Sequence, residues 1–372
     1  MQGLFRMGIF VFLFFINGSV YGQQAKYQKI LSFSYETGPM LSNGTEWGDQ
    51  IKHAVDYKAI DLQIGWRKVS MTKFNYLYRY PTLGVGFNST IPYFTKLGRP
   101  QVIYGFMDIP FSIAAKSNRI SFGYFLQMGV GFNLKPFHPD INPINQYIGS
   151  KVNCYMQVGL TSTVRLTNRI DFQTSLGFKH FSNGATKRPN AGINLFPLNM
   201  GINVLLGDLI SLPDEKPVFE KNGNHSFWNF ALYTGMRNYE IGAPSYFRGG
   251  LGFNYLIEPS PKYRLGIGMD FFWAQGMHLR FPEQNFSFQD QTSLAVVGSW
   301  EWQLTERIFI PIAFGAYLYR NELNEETTWF YQRIGARYRF GNNLSAGMQI
   351  KAHKARADFF EFTLGYTLEG EK

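Results

Sequence analysis

The chain has 372 residues, 45% of them hydrophobic and 17% charged, with 36 Phe, 22 Tyr and 7 Trp. So aromatic and weakly charged a chain excludes intrinsic disorder, and its single cysteine, Cys154, excludes a disulfide scaffold. After the first twenty residues no stretch reaches the ~18 apolar residues that a spanning helix needs, so a large all-β protein, soluble or in an outer membrane, is what remains.

The N-terminus reads as a secretory signal peptide over residues 1–22. Arg6 supplies the positive region, Ile9 to Ile16 the apolar core, and Val20-Tyr21-Gly22 a small residue ahead of a cut before Gln23. Cleavage removes Arg6 alone among the charged residues, so the net charge of +10 becomes +9. An exported basic protein meets lipid phosphates rather than nucleic acid.

Strand signals dominate the rest of the chain. Runs rich in aromatic, β-branched and Gly residues lie near 29–37, 58–69, 75–88, 103–115, 119–133, 151–165, 168–182 and 192–206. A second series lies near 226–238, 245–257, 262–274, 291–304, 307–320, 328–340, 343–353 and 357–367. Short connections (117–119, 166–168, 305–306, 341–343) alternate with longer polar ones (38–57, 89–102, 134–150, 183–191, 275–290, 321–327). Short turns on one rim and long loops on the other is the pattern of an outer-membrane barrel. Phe172, Thr174, Leu176 and Phe178 alternate with Asp171, Gln173, Ser175 and Lys179, as lipid outside and a polar lumen inside require.

A weak internal repeat divides the chain. Val85-Gly86-Phe87-Asn88 recurs as Leu251-Gly252-Phe253-Asn254, Met107-Asp108 as Met269-Asp270, and residues 175–180 loosely as 345–353. The expected organisation is a signal peptide (1–22), a barrel half (23–206), a polar connecting segment (207–225) and a second barrel half (226–372). The fold class is all-β, a transmembrane antiparallel β-barrel of duplicated eight-strand units. Either one barrel of about 14–16 strands or two eight-stranded barrels in tandem satisfies this pattern. The length of the seam favours the tandem, whereas a single closed barrel avoids a second pair of edges, which tips the expectation slightly to the single barrel.

The segment richest in chemistry is His180-Phe181-Ser182-Asn183-Gly184, followed by Lys187-Arg188-Pro189-Asn190 and then Gly192 and Asn194. His180 and Ser182 lie two apart, so they share the apolar face of their strand, and hairpin pairing brings Asn194 of the returning strand near His180. These are the residue types of a nucleophile (Ser182), a base (His180) and an orienting acceptor (Asn194). Asn183 and Asn190, with amides around Gly184, are candidates for oxyanion donors or loop-shaping residues. With both barrel termini in the periplasm, the seventh strand runs outward and the loop 183–191 is extracellular, where Lys187 and Arg188 can meet lipid phosphates.

The H-x-S-N-G…P-N-x-G-x-N run, across a strand, a loop and a strand near the end of an eight-strand unit, resembles the PagL-type lipid A 3-O-deacylases. The resemblance rests mainly on residues 168–206. It implies an outer-membrane barrel that hydrolyses an ester-linked acyl chain of lipid A in lipopolysaccharide, without metal or cofactor. It further implies Ser182 as nucleophile, His180 as general base, and Asn183 and Asn190 at the family's motif asparagines. Where the resemblance implies a glutamate as third member of the triad, this chain has Asn194. An amide can hold the imidazole tautomer but does not stabilise the imidazolium by charge; Asp171 and Glu220 are the alternative acids. The rival expectation is a non-enzymatic barrel (porin, adhesin or structural) with a decayed site, and a weaker one is a phospholipase using the same residues. In the second half His353 is followed by Lys354-Ala355, so this half reads as a structural copy without an active site. His353, His53, His138, His225 and His278 read as solvated or interfacial.

Overall fold

The computed structural model describes residues 27–92, 96–113, 119–212, 225–341, 343–354 and 356–370. The signal-peptide reading, Glu220 and most of the connecting segment lie outside these residues.

The chain forms two eight-stranded antiparallel barrels, the tandem arrangement rather than the single barrel. The first contains β1 (Tyr27–Gly38), β2 (Tyr57–Lys68), β3 (Thr82–Thr90), β4 (Gly98–Pro110), β5 (Ile120–Leu134), β6 (Asn153–Arg165), β7 (Ile170–Ser182), β8 (Ile193–Leu195) and β9 (Leu198–Leu206). β8 and β9 are two pieces of one strand facing β7 in a continuous register, parted at Phe196 and Pro197, where proline lacks the ladder N–H. β9 then pairs with β1 and shuts the ring. The second barrel is β10 (Ser226–Asn238), β11 (Ser245–Ser260), β12 (Tyr263–Ala274), β13 (Thr292–Gln303), β14 (Ile308–Tyr319), β15 (Phe330–Arg339), β16 (Leu344–His353) and β17 (Arg356–Glu369), closed by β10 on β17. The edge argument for one barrel fails because each unit pairs its own first and last strands, leaving no open edge in either.

The predicted strand near 75–88 begins late. Thr72 caps a short helix, α1 (Lys73–Leu77), by accepting from the Asn75 N–H, and Arg79 and Tyr80 turn left-handed before β3 starts. Of the internal repeats, 175–180 and 345–353 do lie on equivalent seventh strands, β7 and β16, but the other two need correction. Residues 85–88 lie on the third strand of the first barrel, whereas 251–254 lie on the second strand of the other. Met107-Asp108 and Met269-Asp270 are offset by one strand in the same way. The likeness arises locally. Gly86 makes room for the lumen-facing Tyr104, and Gly252 does the same for Tyr233.

Alternation places the faces as the sequence requires. Phe122, Leu160, Phe314 and Leu364 are each more than half exposed on the outer walls, as lipid-facing residues are. The lumens are polar and filled. In the first barrel Lys179 is fully buried and pairs with Glu36, with Tyr57 Oη 2.6 Å from its Nζ, while Asp61 accepts from Tyr104 at 2.7 Å. In the second barrel Arg248, Arg333 and Lys351 face Glu326, Asp358, Asp270 and Glu361. Removing one member of a buried pair strands the other charge. Replacing Lys179 with Met is therefore expected to cost about 3–5 kcal/mol through the orphaned Glu36. The measurement is the temperature at which the barrel loses its folded mobility on a semi-native gel; an unchanged temperature refutes this account of the pair.

The two barrels touch near both rims. At the short-turn rim Tyr78 donates to the Gln303 carbonyl at 2.5 Å and accepts from Trp302 Nε1 at 2.8 Å. Met107, Ile109 and Leu304 are buried around this contact. At the opposite rim the second barrel meets the loop between β7 and β8.

Candidate active site

β7 carries both faces of the argument. Lys179 and Phe181 point into the lumen and are buried, whereas Phe172 and Leu176 are exposed and Phe178 and His180 partly so on the outer wall. Ser182 shares that outer phase but is only 3% exposed, and the Phe360 ring of the second barrel stands against Gly184 two residues on. The rest of the outer wall nearby is apolar and open: Leu160 on β6, and Leu198 and Met200 on β9, are all exposed.

The β7–β8 register sets His180 directly opposite Asn194. The imidazole Nδ1 lies 2.6 Å from Asn194 Oδ1. With the amide oxygen as acceptor, Nδ1 carries the proton and Nε2 keeps its lone pair. The ring stacks on Phe178, its neighbour on the same face, at 6.3 Å between centroids and 14° between planes. Gly192 completes this wall. Its φ is +79°, and a Cβ there would stand 2.6 Å from His180 Cε1, so a side chain at 192 would displace the imidazole.

Ser182 accepts a hydrogen bond from the Gly184 N–H at 3.2 Å, and among the described residues it has none with His180. Two residues along one strand face are about 6.6 Å apart. The Gly184 amide is aimed at the serine oxygen, and is thus placed near any oxyanion that forms there.

Asn183 and Asn190 shape the loop. Asn190 Oδ1 accepts from the Asn183 N–H at 3.0 Å, and Asn183 Nδ2 donates to Ser150 Oγ at 3.0 Å and to the Lys187 carbonyl at 2.8 Å. The Asn183 amide is thus committed within the protein rather than held ready for an oxyanion. The sequence does not single out Ser150, since it lies in a different loop with no motif around it. Lys187 is exposed. Arg188 departs from its expected role toward lipid phosphate, because its guanidinium is drawn to Glu325 of the second barrel, Nη2 to Oε2 at 2.6 Å.

Of the alternative acids, Asp171 lies nine residues down β7 from His180, about 30 Å away by strand rise, and on the lumen phase. His353 is neither solvated nor interfacial. It points into the second lumen, 4% exposed, with Nε2 3.0 Å from Tyr317 Oη. Asp358 and Glu361 are likewise spent on lumen ion pairs with Arg248 and Lys351, and with Arg333. The other histidines conform: His53, His138 and His278 are exposed and His225 is half-buried. Among the described residues no group of His, Cys, Asp and Glu is placed to hold a metal ion.

No curated protein matches the chain. Among solved structures it is similar to a mutant of the ferric enterobactin receptor of Pseudomonas aeruginosa, at 10% identity and a TM-score of 0.23, covering 88% of this chain and 54% of that one. The chain thus spans about half the length of that receptor. It is also similar to the toluene transporter TodX of Pseudomonas putida (9% identity, TM-score 0.18, 94% of this chain and 89% of that one). A Rh. blastica porin mutant resembles it as well (8%, 0.18, 93% and 100%). At such TM-scores these likenesses carry no functional inference. The family matches are specific: residues 60–203 match lipid A 3-O-deacylase (PagL), and residues 226–370 match the acyloxyacyl hydrolase C-terminal domain. With both barrels matched over most of their length, the chain belongs to the PagL family, the lipid A 3-O-deacylases of the outer membrane.

Proposed function

We propose that this protein is an outer-membrane serine esterase that removes an ester-linked acyl chain from lipid A, using Ser182, His180 and Asn194. The observation that carries this reading is the 2.6 Å contact between His180 Nδ1 and Asn194 Oδ1, beside Ser182 on the outer wall at the long-loop rim. Residues 1–22 serve as the export signal, and the exposed Lys187 lies where a lipid phosphate passes.

Lipid A lies with its acyl chains along the open apolar wall and its sugars at the rim. His180 Nε2 takes the Ser182 proton as Oγ attacks the ester carbonyl, and the Gly184 N–H receives the oxyanion. Collapse expels the sugar oxygen, which takes the proton from His180 and leaves an acyl-serine. Water gives its proton to His180 and attacks the acyl carbon; collapse then breaks the bond to Ser182 Oγ, which takes the proton back from His180 as the fatty acid leaves. The same reading assigns Gly192 the task of leaving the imidazole its space. Replacing Gly192 with Val is expected to lower the deacylation rate about a hundredfold while the barrel folds, since small displacements of a reacting group cost that much. A rate within twofold of the wild type would count against the assignment.

The rival reading, a barrel with a decayed site, draws on Asn194 standing in for a carboxylate and on the burial of Ser182. Mass spectrometry of lipid A from cells with and without the protein separates the two. Loss of one acyl chain supports the esterase; unchanged masses across several lipid A types support the rival.

A further inference from the structure

Residues 185–188, in the loop after Ser182, are tied to the second barrel. The Asn238 N–H donates to the Ala185 carbonyl at 2.8 Å, and Ser245 Oγ donates to the Thr186 carbonyl at 2.6 Å. The Arg188 N–H reaches Asn238 Oδ1 at 3.3 Å, and its Nε donates to the Asn238 carbonyl at 3.2 Å. Glu325 Oε2 accepts from Arg188 Nη2 and from Arg237 Nη2, each at 2.6 Å, so one carboxylate joins the loop to the wall of the second barrel. The Phe360 ring packs so closely against Gly184 that a Cβ there would collide with it.

These ties fall where the backbone is least able to hold itself. Gly184 and Ala185 are consecutive left-handed residues, with φ of +59° and +58°, and Ala185 has no intrinsic preference for that shape. Their conformation aims the Gly184 N–H at Ser182 Oγ. The segment 184–188 is thus a short, strained bridge whose outer side is pinned by β10, β11, β17 and the loop carrying Glu325.

We propose that the second barrel is a positioning scaffold for the deacylase site, with Glu325 and Ser245 as positioning residues that act through the loop and never touch lipid. This rests on the esterase reading above, and it gives the otherwise siteless second barrel a role in the same reaction. It also assigns Arg188 to the barrel–barrel tie.

The full-length protein tests this in two independent ways. Trypsin cleavage after Lys187 reports loop mobility without reference to activity, and fragment masses identify the cut. Deacylation kinetics on lipid A report the site. Glu325→Ala and Arg188→Ala are each expected to lower kcat about tenfold to a hundredfold with KM unchanged, and to speed cleavage after Lys187. The double variant is expected to lose less than the product of the two single losses, because both remove the shared Arg188–Glu325 tie, while Arg188→Ala alone also loses the Asn238 carbonyl and Glu325→Ala alone also loses Arg237. Ser245→Ala is expected to act in the same direction and guards against a Glu325 variant that fails to fold. Wild-type kcat and wild-type cleavage in Glu325→Ala and Ser245→Ala overturn the proposal. So does additivity in the double variant, or an Arg188→Ala effect confined to KM and absent from Glu325→Ala, which would place Arg188 on lipid. If the wild type deacylates nothing, the esterase reading fails, while the cleavage rates still decide whether the second barrel holds the loop.

Discussion

Replacing Ser182 with Ala is expected to leave lipid A at its full mass in cells that express the variant, while the folded barrel accumulates as in the wild type. In the proposed mechanism the serine oxygen is the nucleophile, beside His180 on the outer face of the hairpin, and removing the nucleophile of such a site typically costs a thousandfold or more. The substitution deletes one hydroxyl, whose hydrogen bond among the described residues is to the Gly184 N–H, so its effect on stability is about 1 kcal/mol. The measurement is lipid A mass spectrometry paired with the heat-modifiable gel shift of the barrel. A variant that still removes an acyl chain would take the nucleophile away from Ser182 and return the outer-wall pair to the role of ordinary rim residues.

The second large effect concerns the orienting group. Asn194 accepts from His180 Nδ1 and so, in the proposed mechanism, sets which imidazole nitrogen is the base, but its neutral amide would give no charge to the imidazolium formed when Ser182 loses its proton. Asn194→Leu keeps the volume and suits the apolar outer wall while abolishing the acceptor. It is expected to lower kcat about a hundredfold or more, since the tautomer is no longer held. Asn194→Asp keeps the acceptor and adds the charge, and is expected to raise kcat about tenfold or more. Opposite signs from two substitutions at one position are hard to obtain from a residue that only packs. Equal, small effects in both would show that His180 is oriented by its stacking on Phe178 alone.

Much of this architecture is legible from local pattern. A strand alternates with period two, so the lipid-facing phase through Phe172, Leu176 and Phe178 carries on to His180 and Ser182 without any knowledge of the fold. A hairpin register is set by its two strands and their loop, so Asn194 opposite His180 is readable too. The rims are read from loop lengths. The late start of β3 is not readable, because the aromatic residues 74–80 look like strand while Thr72 caps a helix there. The repeat at 85–88 and 251–254 misleads for a related reason: a glycine under a lumen tyrosine is a local packing need, and it recurs on strands that are not equivalent.

The amino-acid order thus sets the alternating faces, the strand count and the neighbourhood of His180, because each depends on residues a few positions apart or joined by one turn. Barrel number depends instead on β9 finding β1 and β17 finding β10, pairings across well over a hundred residues that any matching edge would satisfy equally in sequence. The same holds for Arg188. Nothing near it in the chain marks it as other than a free loop cation, and only the packing of one barrel beside the other brings Glu325 within 2.6 Å. Contacts across such distances arise from closure and docking of whole units, where shape and burial choose the partner and local propensity is silent.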